Sequence, residues 1–358
     1  MLVVSGSVGA GHDGAAHELA VRLRRTGVQV DVRDLLQVLP GPVSTVLRDG
    51  YRVTVDRVPV VFETLFRALE GSGSVRGAML GVCRLGEAGV AAWLEQHEYD
   101  AVVSTYPLAS QVLGALRDKG LAPMPLLTYL TDPAAHRSWL HGSVDQHLTV
   151  SRGTAEHGLA DYGVPMTVAG PLVPERFDRP CPRRRVHQLR AELGLALGAP
   201  VALLVAGSLG LGDLVPSVRH VADAGVVPVV LCGRNERLQA RVARVPTAIA
   251  LGWRDDVHEL MELADVLVHN AGGLSFTEAL VSGLPAVSYR CIPGHGRANA
   301  AVLDASGLAP WAHTPAELDE ALWRQLGAGR RRAAQPDPTQ IVLALLPSRL
   351  QPGLAVSA

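Results

Sequence analysis

Two glycine-rich segments, each followed by residues of helical character, carry the groups best suited to chemistry. The first segment leads from a short apolar strand to Gly11 and His12. A histidine at a helix N-terminus is kept neutral, because the positive end of the helix dipole opposes protonation of the ring. A neutral imidazole can accept a proton from a hydroxyl group, so His12 is a candidate general base. The alternative is a histidine that caps the turn or binds a phosphate.

The second segment, residues 271–299, has the character of a ligand-binding βα unit that ends in a polar loop. Two glycines allow close approach of a backbone, and the spacing of Ser275 and Glu278 predicts a capping box at a helix start. Free N–H groups at such a start suit a diphosphate, and a carboxylate in the first turn can reach ribose hydroxyls. The pattern favours a nucleotide-sugar site over an ordinary βα connection. Its donor-side candidates are Gly272, Gly273, Leu274, Ser275, Glu278, His295 and Asn299.

Two shorter segments add weaker donor-side candidates. Residues 206–212 form a glycine-rich turn between a predicted strand and a predicted helix, where backbone N–H groups suit a diphosphate. Residues 251–253 end another strand, and the backbone there could bond a base edge. A surface turn before a helix is the alternative for this second segment. These candidates are Gly207, Ser208, Gly210, Gly212, Gly252 and Trp253.

The acceptor-side candidates lie in the first half of the chain. Asp132 follows a predicted strand and could orient an acceptor hydroxyl or pair with His12, although an Asp-Pro turn explains it equally well. The side chains at 62, 65, 66 and 69 share one apolar helical face, which predicts either core packing or a membrane-surface or lipid-acceptor site. Trp139 is predicted as core or as a sugar-stacking wall. The catalytic candidates are His12 and Asp132, and the acceptor-side candidates are Gly11, Tyr51, Phe62, Phe66 and Trp139.

Apolar runs of three to six residues alternate with helix-length segments, which predicts parallel strands with crossover helices. The first set covers 2–5, 28–30, 101–104, 126–130, 146–150 and 166–168, and the second covers 202–206, 227–231, 247–250, 266–268 and 285–289. Two such sets predict an α/β chain of two doubly wound domains. The predicted arrangement is an N-terminal acceptor-binding domain at 1–172, a proline-rich linker and entry helix at 173–199, a C-terminal nucleotide-sugar-binding domain at 200–332 and a tail at 333–358.

Composition limits the remaining classes. The 358 residues are 48% hydrophobic and 19% charged, as in globular proteins, and the net charge of -1 argues against nucleic acid as a partner. Four scattered cysteines predict neither a zinc site nor a disulfide framework and fit a reducing cytoplasm. The chain opens directly into an apolar strand and has no apolar run of 18 residues, so we expect no signal peptide and no transmembrane helix. Peripheral membrane contact stays open.

These features together resemble the GT-B glycosyltransferases of the monogalactosyldiacylglycerol synthase type, the related diacylglycerol glucosyltransferases and the GlcNAc transferase of peptidoglycan lipid intermediates. The resemblance rests on residues 7–16, 51–62, 131–139, 170–173 and 271–299. It implies two Rossmann-like doubly wound parallel-sheet domains facing a cleft, with a UDP-sugar bound mainly by the C-terminal domain. It also implies that Glu278 holds the ribose, that His12 is the acceptor-side base, that no metal or other cofactor is bound, and that the donor carbon is inverted.

The chain departs from that family at His295 and Gly296, where family members carry a polar pair that contacts the sugar hydroxyls. The sequence therefore predicts a hexosyltransferase without fixing its sugar. The predicted acceptor is a hydroxyl of a diacylglycerol-type lipid, and the predicted location is the cytoplasm, at the inner face of the membrane. The alternatives are transfer to a soluble natural product, a UDP-GlcNAc 2-epimerase-like isomerase, and a non-catalytic sugar-nucleotide-binding protein, which the His295–Gly296 departure favours.

Overall fold

The computed structural model describes residues 1–50, 53–55, 58–71, 73–205 and 214–346. Within those ranges the chain divides into two compact units. The first unit is built from residues 1–53, 61–172 and the segment that starts at residue 335, and the second from residues 54–60 and 173–334. The second unit therefore takes in the stretch 173–199, which contributes Val173, Phe177 and Leu189 to its core.

The first unit contains a parallel sheet of six strands in the order β2-β1-β3-β4-β5-β6. Its strands are β1 Leu2–Ser5, β2 Asp31–Asp34, β3 Val102–Ser104, β4 Leu126–Tyr129, β5 Gln146–Thr149 and β6 Thr167–Val168. Every residue of β1, β3 and β4 is buried, which explains their unbroken apolar runs. The strand predicted at 28–30 was placed wrongly, because the true strand β2 lies at the sheet edge and has three charged residues and only one valine.

The helices of the first half of the chain cover both faces of this sheet or precede its later strands. They are α1 Ala10–Arg25, α2 Gly41–Thr45, α3 Pro59–Glu70, α4 Ser74–Gln96, α5 Pro107–Asp118 and α6 Arg152–Tyr162. The predicted end of α1 at Arg25 is confirmed, and Gly27 follows it with a φ of 89° that favours glycine.

Helix α3 does not pack as a core helix. None of its residues is buried, and Val60, Val61 and Leu65 are 77%, 49% and 42% exposed. The core interpretation of the apolar face at 62–69 is therefore wrong for this structure. Phe62 and Phe66 are half-buried, and Arg67 pairs with Glu63 along the helix at 2.9 Å.

The second unit also contains a parallel sheet of six strands, in the order β12-β11-β10-β7-β8-β9. Its strands are β7 Val201–Val205, β8 Val227–Leu231, β9 Ile249–Leu251, β10 Val266–His269, β11 Ala286–Tyr289 and β12 Trp311–Ala312. Sequence analysis missed β12, because two residues are too few to form an apolar run. The order is that of a dinucleotide-binding fold, in which ligands bind where the chain changes direction between β7 and β10.

Within the described residues, seven helices accompany the second sheet and bury apolar side chains on both of its faces. They are α7 Arg183–Glu192, α8 Leu214–Asp223, α9 Glu236–Val242, α10 Val257–Leu263, α11 Gly273–Ser282, α12 His295–Ala305 and α13 Pro315–Ala328. A last helix, α14 Pro338–Ala344, returns to the first unit and contacts α1. The predicted tail is thus part of the first unit as far as residue 346.

Candidate active site

His12 lies where the first sheet changes direction. The chain leaves β1 to form β2 on one side and returns to form β3 on the other, which opens a crevice at the carboxyl ends of these strands. His12 is the third residue of α1, directly after β1, whereas Thr105 and Thr131 follow the neighbouring strands β3 and β4. Residues more than 90 positions apart in the sequence therefore meet because adjacent parallel strands end at the same edge.

The hydrogen bonds of His12 fix which nitrogen carries the proton. Its Nδ1 lies 2.9 Å from the Thr105 carbonyl oxygen and 3.0 Å from the Thr131 hydroxyl oxygen. A carbonyl oxygen only accepts, so Nδ1 must carry the hydrogen. Burial lowers the pKa of His12 below its ordinary value, and the charge of Asp132 opposes this only in part. His12 is therefore a neutral imidazole whose basic atom is Nε2.

Aromatic rings hold the imidazole from two sides. The ring of Tyr106 meets His12 edge-on at 5.1 Å, and the ring of Trp139 lies 5.7 Å away. The Thr105 hydroxyl also donates to the His12 carbonyl at 3.1 Å. Gly6 is needed beside this cluster, since a Cβ there would come within 2.3 Å of the Tyr106 ring. The orientation of His12 is thus determined by packing as well as by hydrogen bonds.

Asp132 is held by groups other than His12. Trp139 donates from Nε1 to Asp132 Oδ2 at 3.0 Å, and His136 Nε2 lies 3.5 Å from the same oxygen. The structure shows no direct hydrogen bond between Asp132 and His12, because Thr105 and Thr131 take the imidazole N–H, and Asp132 acts on His12 through its charge. Trp139 is fully buried, so it positions Asp132 and does not form the wall predicted to stack on a sugar.

His136 is a member of this cluster that sequence analysis did not select. It is buried, its ring meets Phe66 of α3 edge-on at 5.5 Å, and its Nδ1 has no hydrogen-bond partner among the described residues. Its position four residues after Asp132 was the only signal in the sequence. His136 connects the half-buried side of α3 to the carboxylate beside His12.

Replacing Trp139 with Phe tests this arrangement. The substitution removes the N–H that Asp132 accepts, and losing a hydrogen bond to a charged group costs about 1.5–3 kcal/mol. We expect a lower free energy of unfolding in urea. The matched control is Trp93→Phe, which shortens another buried tryptophan of the first unit without touching Asp132. Equal destabilisation by both variants would show that lost volume, and not the bond to Asp132, is responsible.

The donor-side helix α11 begins earlier than predicted. Gly272 is its N-cap, Gly273 is its first residue, and no side chain caps it. The predicted capping box is therefore wrong: Ser275 is the third helical residue, and Glu278 is the sixth, in the second turn. The helix can start here because Ala271 adopts a left-handed φ of 66°, which turns the chain before Gly272. The first N–H groups of α11 remain available for an anion.

Buried polar side chains hold the strained turn at Ala271. The Ala271 N–H donates to His269 Nδ1 at 3.2 Å, and Asn299 Nδ2 donates to the Ala271 carbonyl at 3.1 Å. Since Nδ1 of His269 accepts, its Nε2 carries the hydrogen and donates to the Ser288 hydroxyl at 3.3 Å. Burial lowers the pKa of His269 to about 4, so this support is uncharged. Asn299 is fully buried within α12, which replaces the predicted polar loop.

Glu278 is half-buried and carries a strongly perturbed carboxyl group. Burial raises the pKa of Glu278 to about 8, and the positive charge of Arg176 opposes the shift. A carboxyl group with so little solvation gains when hydroxyl donors approach its charged form. This property suits the predicted contact with ribose hydroxyls, which stays a prediction.

The remaining donor-side candidates fall into two groups. Trp253 follows β9 at the sheet edge, is 54% exposed, and stacks with the Arg234 guanidinium at 4.7 Å. Because β9 is three strands from β10, Gly252 and Trp253 are separated from the start of α11 by about 14 Å of sheet.

The candidates in the second glycine-rich turn and one acceptor-side candidate lie outside the described residues. These are Gly207, Ser208, Gly210, Gly212 and Tyr51.

His295 is the first residue of α12 and Gly296 the second. A Cβ at Gly296 would come within 2.3 Å of Ile292 Cγ1 and 3.3 Å of the Asn270 carbonyl oxygen. Gly296 therefore allows α12 to approach the segment that precedes α11. The glycine at position 296 therefore has a packing reason.

Replacing Gly296 with Ala should force these segments apart. Overpacking of this kind typically costs about 1–3 kcal/mol, and the shifted Asn270 backbone should also weaken binding of UDP. Thermal unfolding and UDP titration check both effects. Gly327→Ala in α13 is the control, since a Cβ there meets nothing within 4 Å and should be neutral or stabilising. Unchanged stability and UDP affinity in Gly296→Ala would contradict the packing argument.

The described residues provide neither a cluster of metal ligands nor a helix that could span a membrane. In the part of the chain that the structure describes, no three His, Cys, Asp or Glu side chains form a group that could hold a metal ion. No helix among residues 1–50, 53–55, 58–71, 73–205 and 214–346 has the length and apolar character needed to cross a membrane.

The two parallel α/β units define the class of protein. The chain has the GT-B glycosyltransferase fold, and solved structures of that fold match it over nearly its whole length. Acinetobacter baumannii MurG superposes with a TM-score of 0.60 and 22% identity, covering 97% of this chain and 98% of MurG. The Streptomyces sp. SF2575 glycosyltransferase SsfS6 superposes with a TM-score of 0.58 and 15% identity, covering 96% and 98%. The predicted fold class is confirmed.

Sequence comparisons show which glycosyltransferases the chain is similar to. The model of the monogalactosyldiacylglycerol synthase family matches residues 12–168. The chain is 25% identical to the processive diacylglycerol beta-glucosyltransferase of Bacillus subtilis over 323 residues, which cover 86% of this chain and 82% of that protein. It is 28% identical to monogalactosyldiacylglycerol synthase 1 of Arabidopsis thaliana over 252 residues, 64% of this chain and 46% of that protein.

A third relative is the processive diacylglycerol beta-glucosyltransferase of Bacillus pumilus, which is 26% identical over 226 residues. That match covers 60% of this chain and 57% of the relative. The chain therefore spans only about half of the length of some of the curated relatives that it matches. The predicted resemblance to GT-B glycosyltransferases of the monogalactosyldiacylglycerol synthase and diacylglycerol glucosyltransferase type is confirmed.

Proposed function

We propose that this protein transfers a hexosyl group from a UDP-sugar to a hydroxyl group of a diacylglycerol-type lipid. The observation that carries the proposal is His12, a neutral imidazole whose N–H is taken by the Thr105 carbonyl and whose Nε2 is left basic. It lies within the region that matches the monogalactosyldiacylglycerol synthase family, at the ligand-binding edge of the sheet. A fixed base at this place is what an acceptor hydroxyl requires.

In the proposed reaction, His12 Nε2 takes the proton of the acceptor hydroxyl as its oxygen attacks the anomeric carbon of the sugar. The bond from that carbon to the diphosphate oxygen breaks, and the electron pair leaves with UDP. Attack from the face opposite the leaving group inverts the anomeric centre. Asp132 lies close enough to raise the pKa of the imidazole partially, which supports the cation that forms. Trp139 and His136 hold Asp132 in this position.

On the donor side, the first N–H groups of α11 would receive the diphosphate, and its developing charge would be stabilised by these donors and by the helix dipole. Glu278 would accept hydrogen bonds from the ribose. The turn at Ala271 is rigid because His269 and Asn299 support it, so the donors need no reorganisation during the reaction. We propose on this basis that no tightly bound metal or other cofactor takes part.

Removal of divalent metals should leave transfer intact. The proposed site stabilises the leaving diphosphate with backbone N–H groups, so turnover in excess EDTA should stay within about twofold of turnover with Mg²⁺. The rate of UDP release under both conditions is the measurement. A loss of activity in EDTA that Mg²⁺ or Mn²⁺ restores would contradict the metal-free mechanism.

The lipid acceptor is supported by α3 as well as by the relatives. Three apolar side chains of this helix are exposed, and a helix of this kind can lie on a membrane surface. His136 and Phe66 connect α3 to the cluster beside His12. We propose that the protein contacts a membrane peripherally, at its cytoplasmic face, where a diacylglycerol hydroxyl would be presented.

The test is UDP release from UDP-galactose, UDP-glucose and UDP-GlcNAc, each with and without vesicles that contain diacylglycerol. Release with one sugar that increases with diacylglycerol, together with a glycolipid product, would establish the function and identify the donor. UDP release at the same rate with and without diacylglycerol would indicate a soluble acceptor instead of a lipid. Tight UDP binding without release under any condition would support the non-catalytic alternative and overturn the proposal.

A further inference from the structure

A cavity of about 390 Å³ lies in the first unit, near the amino-terminal ends of strands β5 and β6, whereas His12 lies at the carboxyl ends of the strands. Its lining includes His141 and Val144, which precede β5, and Val164 and Pro165, which precede β6. These residues are at the amino-terminal ends of the strands, whereas His12 is at the carboxyl ends. The cavity has the size of a small-molecule site, and His12 does not line it.

Two arginines line the cavity. They are Arg76 of α4 and Arg137, and neither guanidinium has a carboxylate within 4 Å among the described residues. The carboxylate in the lining, Asp145, is already paired with Arg117 at 2.6 Å and accepts the Leu126 N–H at 2.7 Å. The lining therefore offers positive charge that an anion could use.

One further carboxylate lies near the cavity, on α3. Glu70 accepts the hydroxyl of Tyr162 at 2.6 Å and the backbone N–H of Arg137 at 3.2 Å. These bonds use its oxygens and hold the Tyr162 ring, over which the Arg137 guanidinium lies at 5.8 Å. Glu70 thus acts as a support for the cavity wall.

A buried histidine nitrogen in the lining has no partner. His147 is 6% exposed, and its Nε2 makes no hydrogen bond within the described part of the chain. Burial, together with the neighbouring His141, lowers the pKa of His147 to about 4, so the ring is neutral. Buried polar atoms are seldom left unpaired without a reason, and a small shift of the lining around a bound ligand would give Nε2 a partner.

His141 forms a closely packed part of the cavity wall. The ring of His141 packs directly against Gly114 of α5, where a Cβ would come within 2.2 Å of it. His141 Nδ1 accepts the Ser143 N–H at 3.2 Å, which leaves its Nε2 carrying the hydrogen, 3.9 Å from Asp118. Packing and this hydrogen bond therefore fix the position of the His141 ring.

We propose that this cavity binds a phosphate group, with Arg76 and Arg137 as its charge partners and His147 Nε2 as a further hydrogen-bonding group. Arginine is suited to phosphate because its planar fork can donate two parallel hydrogen bonds. The volume also accommodates a small polar group esterified to the phosphate. Both a soluble phosphoester and a phospholipid headgroup present this chemistry.

The experiment measures binding to the full chain in two arms. Glycerol 3-phosphate is titrated by calorimetry with saturating UDP present, and flotation compares phosphatidylcholine vesicles with and without phosphatidylglycerol. The variants are Arg76→Gln, Arg137→Gln, the double variant and His147→Gln. The control is Arg84→Gln, which removes an exposed arginine of α4 that does not line the cavity. Circular dichroism and UDP affinity establish that each variant is folded.

We expect the double variant to lose at least tenfold in affinity in one arm, each single variant to lose less, and Arg84→Gln to bind as the wild type does. Loss in the calorimetric arm assigns a soluble phosphoester, and loss in the flotation arm assigns a lipid headgroup. Equal binding by wild type and folded double variant in both arms, or no phosphate-dependent binding by the wild type, would overturn the proposal. Because UDP release is not measured here, this result is independent of the proposed function.

Discussion

His12→Ala should reduce the rate of hexosyl transfer by about 10²–10⁴-fold, the usual contribution of a positioned general base. The loss should appear in kcat, because the substitution removes the basic Nε2 and leaves the second unit unchanged. The affinity for UDP should therefore stay within about twofold of the wild type. The measurements are the steady-state rate of UDP release and the dissociation constant for UDP by calorimetry.

The control for this prediction is His17→Ala. His17 lies on the same helix, is exposed, and bonds only to the Asp13 carbonyl, at 2.8 Å, so its loss should not affect turnover. Thr131→Val is a graded test, since it removes one of two acceptors for the His12 N–H and keeps the Thr105 carbonyl. It should lower the rate less than His12→Ala does. Unchanged turnover in His12→Ala would exclude His12 from the mechanism.

Glu278→Gln should raise the dissociation constant for UDP by about 10–100-fold, because hydrogen bonds to a charged acceptor are worth about 1.5–3 kcal/mol. Its pH dependence is the more diagnostic result. Burial raises the pKa of Glu278 to about 8, so the wild type must lose a proton to offer a carboxylate at neutral pH. Wild-type affinity should therefore weaken as the pH falls from 9 to 6.5, and Glu278→Gln should remove this component. A parallel decline in both proteins would contradict the assignment.

The same carboxyl group should limit the stability of the ligand-free protein. The pKa of Glu278 is about 8 in the folded chain, compared with the ordinary value of 4.5 that applies to the unfolded chain. Between these two pH values the folded state therefore holds a proton that the unfolded state has lost. Stability from this group is complete below the lower value and declines as the pH rises towards 8. Glu278→Gln should therefore unfold at a higher temperature than the wild type at pH 8.5 and at a similar temperature at pH 5. Glu236→Gln, an exposed carboxylate on α9, should change neither property.

Most of the strands and helices could be predicted from the sequence, because each is signalled by residues that lie within it or directly beside it. Buried parallel strands such as β1, β4 and β10 are continuous apolar runs, and the helix that ends at Arg25 is followed by the glycine that its left-handed terminus requires. The prediction failed for strands that do not form an apolar run. Three of the four residues of the edge strand β2 are charged, and β12 has only two residues, so neither forms an apolar run. The GT-B fold and the resemblance to diacylglycerol glycosyltransferases followed from motifs that the chain carries in order.

By itself the sequence determined that the chain forms two doubly wound sheets and that His12 and Glu278 stand beside glycine-rich turns. The tertiary structure decided what those side chains contact. It gave the His12 N–H to Thr105, assigned Asp132 to Trp139 and His136, and started α11 at Gly273 through a left-handed Ala271. The physical reason is that hydrogen bonds between loops of neighbouring strands depend on strand order and register. Only the folded sheet sets that order, so spacing along the chain cannot predict those contacts.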